Sequence, residues 1–216
     1  MVDAQIINAR LDAGYARAAA VLGTPYQHFR AQGPNNPIAT PIETLNIWAT
    51  TDAGLKGTTP MLFGKTQWFA AMERDTLQVG DYLTGALGTF FVSSLEASAP
   101  VGLIDCNRTL SVARAQDTLQ PGANDQRFGT SLQTSVAFMA GWPASVLQLG
   151  SKMTSTGMNL PSDAKAPSVT ILLPAIIPVV RFNDLITDDI GQRYMVAAVE
   201  QTALGWQITG ELQPAG

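Results

Sequence analysis

One stretch limits the folds open to this chain more than any other. Leu77–Glu96, LQVGDYLTGALGTFFVSSLE, is echoed near the end by Asn183–Glu200, NDLITDDIGQRYMVAAVE. Each copy opens with an Asp beside aliphatic residues and places a turn glycine (Gly88, Gly191) ahead of an aromatic-led apolar run. Each run closes on an acid, and these acids, Glu96 and Glu200, lie 104 residues apart. Both runs are rich in aromatic and β-branched residues behind turn signals, so each reads as a strand entered from a hairpin. A further strand is expected after each, Thr109–Arg114 in the first copy and Gly205–Leu212 in the second. A solenoid repeats every roughly 20–50 residues. An offset near half of the 216-residue chain predicts two similar modules instead.

The rest of the chain fits a mainly β protein with an N-terminal helix and two similar small β-barrel or sandwich-like modules. Asp3 is placed to cap a helix over about Ala4–Leu22, stopped by Gly23 and Pro25. Ile7, Leu11, Tyr15 (or Gly14), Ala18 and Leu22 share one stripe of it, expected to be buried by its own domain or by a neighbour. Short strands are expected at Tyr26–Arg30, Thr44–Ala49, Thr134–Met139 (ended by Trp142-Pro143) and Val169–Leu173. Pro174 and Pro178 suggest an edge strand or bulge. Polar, Gly- and Pro-bearing stretches at Thr50–Pro60, Ala115–Gln133 and Gly150–Pro167 read as loops, the second as the linker. The expected layout is therefore a helix and arm over 1–42, a first module over 43–114, a linker over 115–133 and a second module over 134–216.

The chemistry-bearing residues do not assemble into a recognisable site. His28 is the sole histidine, so no second one helps it bind a metal, and it reads as a polar member of a strand. Cys106 is the sole cysteine, which leaves no internal disulfide; between Ile104 and Asn107 it reads as a small buried hydrophobe. Gly64-Lys65-Thr66 imitates the end of a phosphate-binding loop, but Thr59 stands where its first glycine belongs. Asp184, Asp188 and Asp189 do not follow the spacing of a calcium loop, and Asp188-Asp189-Ile190-Gly191 reads as a hairpin turn. Ser93-Ser94 lacks a nucleophile elbow. Trp48, Trp68, Trp142 and Trp206 fall in separate apolar segments, where packing is the default role. No catalytic residue, cofactor or metal is expected.

Composition narrows the setting. A net charge of −4 provides no electrostatic footprint for nucleic acid or an anionic membrane. Met1–Gly23 carries Asp3 and Asp12 without a continuous apolar core, which predicts no secretion signal. Ile171–Val180, the longest apolar stretch, is far short of the roughly 20 residues of a spanning helix. The expected location is the cytoplasm, or a particle assembled there. Charged residues make up 14% of the chain against about 25% in typical domains, a deficit that suits a subunit hiding much of its surface against others.

The phrasing Val79-Gly80-Asp81-Tyr82-Leu83 followed by Gly88-Thr89-Phe90-Phe91-Val92 resembles the small β-barrels of tailed-bacteriophage neck proteins, the head-completion or stopper class. Asp188–Val196 followed by Gly205-Trp206-Gln207-Ile208 shows the same phrasing. The resemblance covers the two hairpins and their flanks, not the first 60 residues. It implies a non-catalytic virion component, a ring-forming connector between portal and tail. Its partners would be copies of itself and portal, adaptor, tail or baseplate proteins. It would read no DNA sequence, though it could line a DNA channel, and it would need no membrane. The duplication departs from stoppers, which carry one barrel, and leaves a tail or baseplate position open. Ile7, Leu11, Leu22, Tyr82, Phe90, Tyr194 and Trp206 are the expected interface anchors. An enzyme or binding module for polysaccharide remains the alternative from another class; it would need an aromatic-lined groove, with paired acids if it cleaves.

Overall fold

The computed structural model describes residues 4–51, 66–97, 99–116, 134–148, 167–175 and 179–213. Among the described residues one helix, α1 (Ala4–Leu22), comes first. Its end coincides with the expected stop, where the Gly23 N–H bonds the Ala19 carbonyl at 2.8 Å. A Cβ on Gly23 would lie 2.4 Å from that oxygen and 2.9 Å from the Ile47 backbone, so only glycine lets the helix turn into the sheet here.

Six strands follow: β1 (Thr24–Phe29), β2 (Pro41–Thr50), β3 (Gln67–Ala71), β4 (Tyr82–Gly85), β5 (Gly88–Ser94) and β6 (Val101–Cys106). They pair antiparallel in the order β1-β2-β3-β6-β5-β4 and close on themselves. Six more come next: β7 (Arg108–Gln116), β8 (Thr134–Gln148), β9 (Ser168–Leu173), β10 (Leu185–Asp188), β11 (Arg193–Thr202) and β12 (Gly205–Leu212). These close in the same order, β7-β8-β9-β12-β11-β10. Closure gives every strand a paired neighbour on both sides, so no strand stands at the edge of an open sheet.

The two barrels share most of their register, the β7–β8 pair departing from β1–β2 by an added irregularity between Leu110 and Val112. Phe29 opposes Tyr82 as Ala113 opposes Leu185, and Tyr82 opposes Phe91 as Leu185 opposes Met195. The same bulge interrupts β5 between Val92 and Ser94 and β11 between Val196 and Ala198. Ahead of the hairpins, Gly80 and Asn183 both adopt the left-handed conformation, at φ 95° and 71°. Their N–H groups reach the carbonyls of Val92 and Val196 at 2.8 and 2.9 Å. Both anticipated hairpins are therefore present within similar barrels, β4–β5 and β10–β11.

Three sequence-based expectations are corrected. The strand of the first copy that corresponds to Gly205–Leu212 is Val101–Cys106; Thr109–Arg114 instead lies in β7, the first strand of the second barrel, paired with β8 and β10. The boundary between barrels accordingly falls at Asn107, and the polar stretch read as a linker joins two strands of one barrel. Residues 117–133 of that stretch lie outside the described residues, as do most of the loops expected over 50–60 and 150–167. Finally, Trp142-Pro143 does not end a strand: β8 continues to Gln148, past Gly141 at φ 73°.

Tyr26, Leu45, Leu83, Phe90, Val92 and Leu103 fill the first barrel. A second, continuous core spans the junction: Phe29, Tyr82, Phe91 and Ile104 of the first barrel join Leu110, Trp142, Ile171, Val196 and their neighbours of the second. Alternation along β5 explains the division. Phe90 points into its own barrel, against Trp68 at 5.3 Å between ring centroids, while Phe91 points outward to the junction with Tyr82.

Candidate interaction surface

The most polar buried feature occurs in both barrels. Arg30, just after β1, clasps Asp81 through Nε to Oδ1 at 2.8 Å and Nη2 to Oδ2 at 2.7 Å. Arg114, in β7, clasps Asp184 in the same way at 2.7 and 2.8 Å. In each case the residue three positions before the Asp donates its N–H to Oδ2, Gln78 and Arg181 both at 2.7 Å. The second arm of each guanidinium also holds a carbonyl of the preceding loop, Thr76 at 2.7 Å and Val179 at 3.0 Å. These bidentate, charge-assisted contacts fasten the segment before the β4 or β10 strand to the first strand of its own barrel.

The first copy adds His28. It is wholly buried, with Nε2 at 2.8 Å from Asp81 Oδ2 and Nδ1 at 3.1 Å from Glu43 Oε1. Burial works against a charge on this ring, but hydrogen bonds to Asp81 and Glu43 outweigh it and hold its pKa above the usual histidine value. Asp81 is likewise buried, yet Arg30, His28 and the Gln78 N–H keep it below the usual carboxylate range. The Thr76 hydroxyl, and then His28, do the same for Glu43. Both ring nitrogens of His28 are engaged by carboxylates and the ring does not reach solvent. It cannot accept a proton from a substrate, so the cluster acts as a buried clasp. His28 is thus a polar strand residue, as expected, with two specific partners.

Asp188 makes the expected turn. Its Oδ1 accepts the N–H groups of Ile190 and Gln192 at 3.2 and 2.7 Å, and Oδ2 accepts the Tyr194 hydroxyl at 2.9 Å. Burial first, and Asp188 second, push the Tyr194 phenol up to about 12. A cleft of about 240 Å³ opens beside it, with Arg108, Gln148, Gln192 and Tyr194 in its lining. That is below the roughly 300–1,000 Å³ of typical ligand sites. Among the described residues, Tyr194 is the one aromatic ring in its lining and is buried, and no acid lines it. Nothing in it provides the paired acids or stacking platform that a polysaccharide site requires. Cys106 packs at the junction, where burial pushes its thiol well above the usual value, as suits a small hydrophobe.

Comparison with protein-family models, curated proteins and solved structures finds no match for this chain.

What distinguishes the exterior is uncovered apolar surface. The helix α1 rests on β2 and β3 through Asn8, Asp12, Tyr15 and Ala19, its half-buried or buried side. Arg74 secures it, pairing with Asp12 and lying over the Tyr15 ring at 6.0 Å while its guanidinium also holds the Glu96 carbonyl at 2.8 Å. The stripe expected to be buried is only partly so: Tyr15 and Ala18 are half-buried, whereas Ile7, Leu11 and Leu22 are 46%, 38% and 58% exposed, left uncovered by the described residues. Trp48, on the outward side of β2, is 45% exposed, against the expectation that it packs in the core.

The other expected anchors are corrected in the opposite sense. Tyr82, Phe90, Tyr194 and Trp206 are all buried and cannot meet a partner. Tyr82 holds the two barrels together, its hydroxyl donating to the Pro143 carbonyl at 2.8 Å and its ring set edge-on to Trp142. Substitutions there act through folding. Leu11→Asp, by contrast, is expected to change the stability of the isolated chain by less than about 0.5 kcal/mol, as surface substitutions do, while weakening self-association. Thermal denaturation checks this; a large fall in melting temperature would show that the stripe is covered within the chain.

Proposed function

We propose that this chain is a non-catalytic, multi-copy structural component of a tailed-phage particle, assembled in the host cytoplasm and placed at the neck as a connector. One observation carries the multi-copy part: the helix α1 is fastened by Asp12, Tyr15 and Ala19, yet leaves Ile7, Leu11 and Leu22 exposed, and Trp48 on the outward side of β2 is exposed as well. Apolar residues grouped on one face mark a docking surface, and a repeated subunit covers such a face with its neighbours. The setting rests on the likeness of the two hairpins to phage neck barrels. The clasps support a passive role, because their charged groups are engaged with one another. Nothing in the fold requires a cofactor or a metal for this role.

A tail or baseplate position is the second reading, favoured by the presence of two closed barrels where stoppers carry one. Imaging particles made with the gene deleted separates the readings. Filled heads without tails, together with free tails, are expected for a neck component. Heads bearing shortened or tipless tails support the tail position. Intact infectious particles would remove both.

A further inference from the structure

Both barrels carry an outward row at the same register positions, and among the described residues only one of the two is covered. In the first barrel the row crosses four strands in direct register, Phe29 to Tyr82 to Phe91 to Ile104, and the second barrel sits on it. In the second barrel the same register positions are Ala113, Leu185, Met195 and Glu211. The first three are half-buried, Glu211 is exposed, and none belongs to either core.

The covering surface has its counterpart too. Trp142, Pro143 and Ala144 of β8 lie against the first barrel's row, with Tyr82 bonded to Pro143 and edge-on to Trp142. Strand register equates these residues with Leu45, Asn46 and Ile47 of β2, because Leu110 opposes Trp142 as Tyr26 opposes Leu45. There Leu45 and Ile47 turn into the first barrel's own core, Asn46 and the next outward residue, Trp48, are exposed, and the helix α1 rests on β2 and β3 with its apolar stripe free. Among the described residues, each chain therefore leaves one row uncovered and, at Asn46, Trp48 and the free side of α1, an uncovered surface at the position that β8 uses to cover the other row.

We propose that copies of this chain associate head to tail, the Leu185–Met195 face of one copy docking on the β2–α1 face of the next. The occupant is a second copy because the equivalent face within the chain is covered by a module of the same fold. The two faces differ, so the contact is heterologous and each added copy leaves one of each face free; it closes as a ring or continues as a filament. The contact between chains is weaker than the one within, since Ala113, Leu185, Met195 and Glu211 replace Phe29, Tyr82, Phe91 and Ile104. Association is then reversible and concentration-dependent. This proposal rests on the multi-copy reading and specifies its self-contact.

The test is sedimentation velocity on the full chain over a range of concentrations, comparing the wild type, Met195→Glu, Trp48→Glu and an equimolar mixture of the two variants. The wild type is expected to form species larger than its 22.9 kDa monomer, and each variant alone to remain monomeric with an unchanged melting temperature. The mixture should form dimers and nothing larger, because one intact row meets one intact covering face. If Met195→Glu lowers the melting temperature, Glu211→Arg, at the exposed end of the same row, replaces it. Variants that associate like the wild type would overturn this contact and leave the multi-copy reading standing. A mixture that stays monomeric while the wild type associates would overturn the head-to-tail geometry. A wild type monomeric at every concentration also overturns the proposal, and the multi-copy reading is then judged separately, by copy number in particles.

Discussion

Asp81→Ala is expected to lower the unfolding free energy by about 3–5 kcal/mol, as breaking a buried ion pair does. Asp81 is fully buried and accepts from His28, from both arms of Arg30 and from the Gln78 N–H. Its removal strands a wholly buried His28 beside an unpaired backbone donor. Asp184→Ala should cost less, because Arg114, 34% exposed, can rehydrate as Arg30, 30% exposed, can, and the second clasp has no buried histidine to leave behind. Chemical denaturation of the two variants measures the difference. An equal loss would mean that His28 contributes nothing to the clasp.

The same cluster sets a pH dependence. His28 is held above its ordinary value, so its contribution is fully present below 6.5 and is lost as pH rises through the raised pKa. Asp81 and Glu43 are held below theirs, so their contributions are present above about 4 and are lost as pH falls through the lowered values. The clasp is strongest between those limits. The stability gap between the wild type and His28→Gln should shrink as pH rises from 6.5 through the raised histidine pKa; a gap that widens would reverse the assigned charge.

Trp142→Ala is the second large effect, expected to cost about 3–5 kcal/mol. The side chain is fully buried, its Nε1 donates to the Pro34 carbonyl at 2.7 Å, and its ring meets Tyr82 at 6.1 Å. It therefore ties the loop after β1 and the outer row of the first barrel to the second barrel. Trp142→Phe keeps most of the buried ring and should lose less. Because one core crosses the junction, the wild type is expected to melt in a single transition. Calorimetry that resolves two transitions in the wild type would contradict a shared core.

The helix and hairpins were legible because local chemistry specifies them: Gly23 and Pro25 stop the helix, and turn glycines precede the aromatic runs. The remainder of the repeat was hidden by loop length. Asp81 and Asp184 lie 103 residues apart, but their partners Arg30 and Arg114 only 84, so the two clasps span 51 and 70 residues and share no spacing. The boundary at Asn107 carries no Gly or Pro, whereas the polar stretch after β7 does, and composition pointed to the wrong place. Inside and outside were also indistinguishable. Phe90 and Phe91 are adjacent and chemically alike, yet one fills a barrel and the other joins two. That ambiguity put Tyr82, Phe90, Tyr194 and Trp206 among the expected anchors, and Trp48 among the core residues.

The central claim is that the chain is a repeated part of a particle, and counting it there tests this most directly. If the proposed phage setting holds, quantitative mass spectrometry of purified particles produced with the gene present should find several copies per particle, in a fixed ratio to the portal protein. A chain absent from purified particles, or present at a ratio that varies between preparations, would contradict the account.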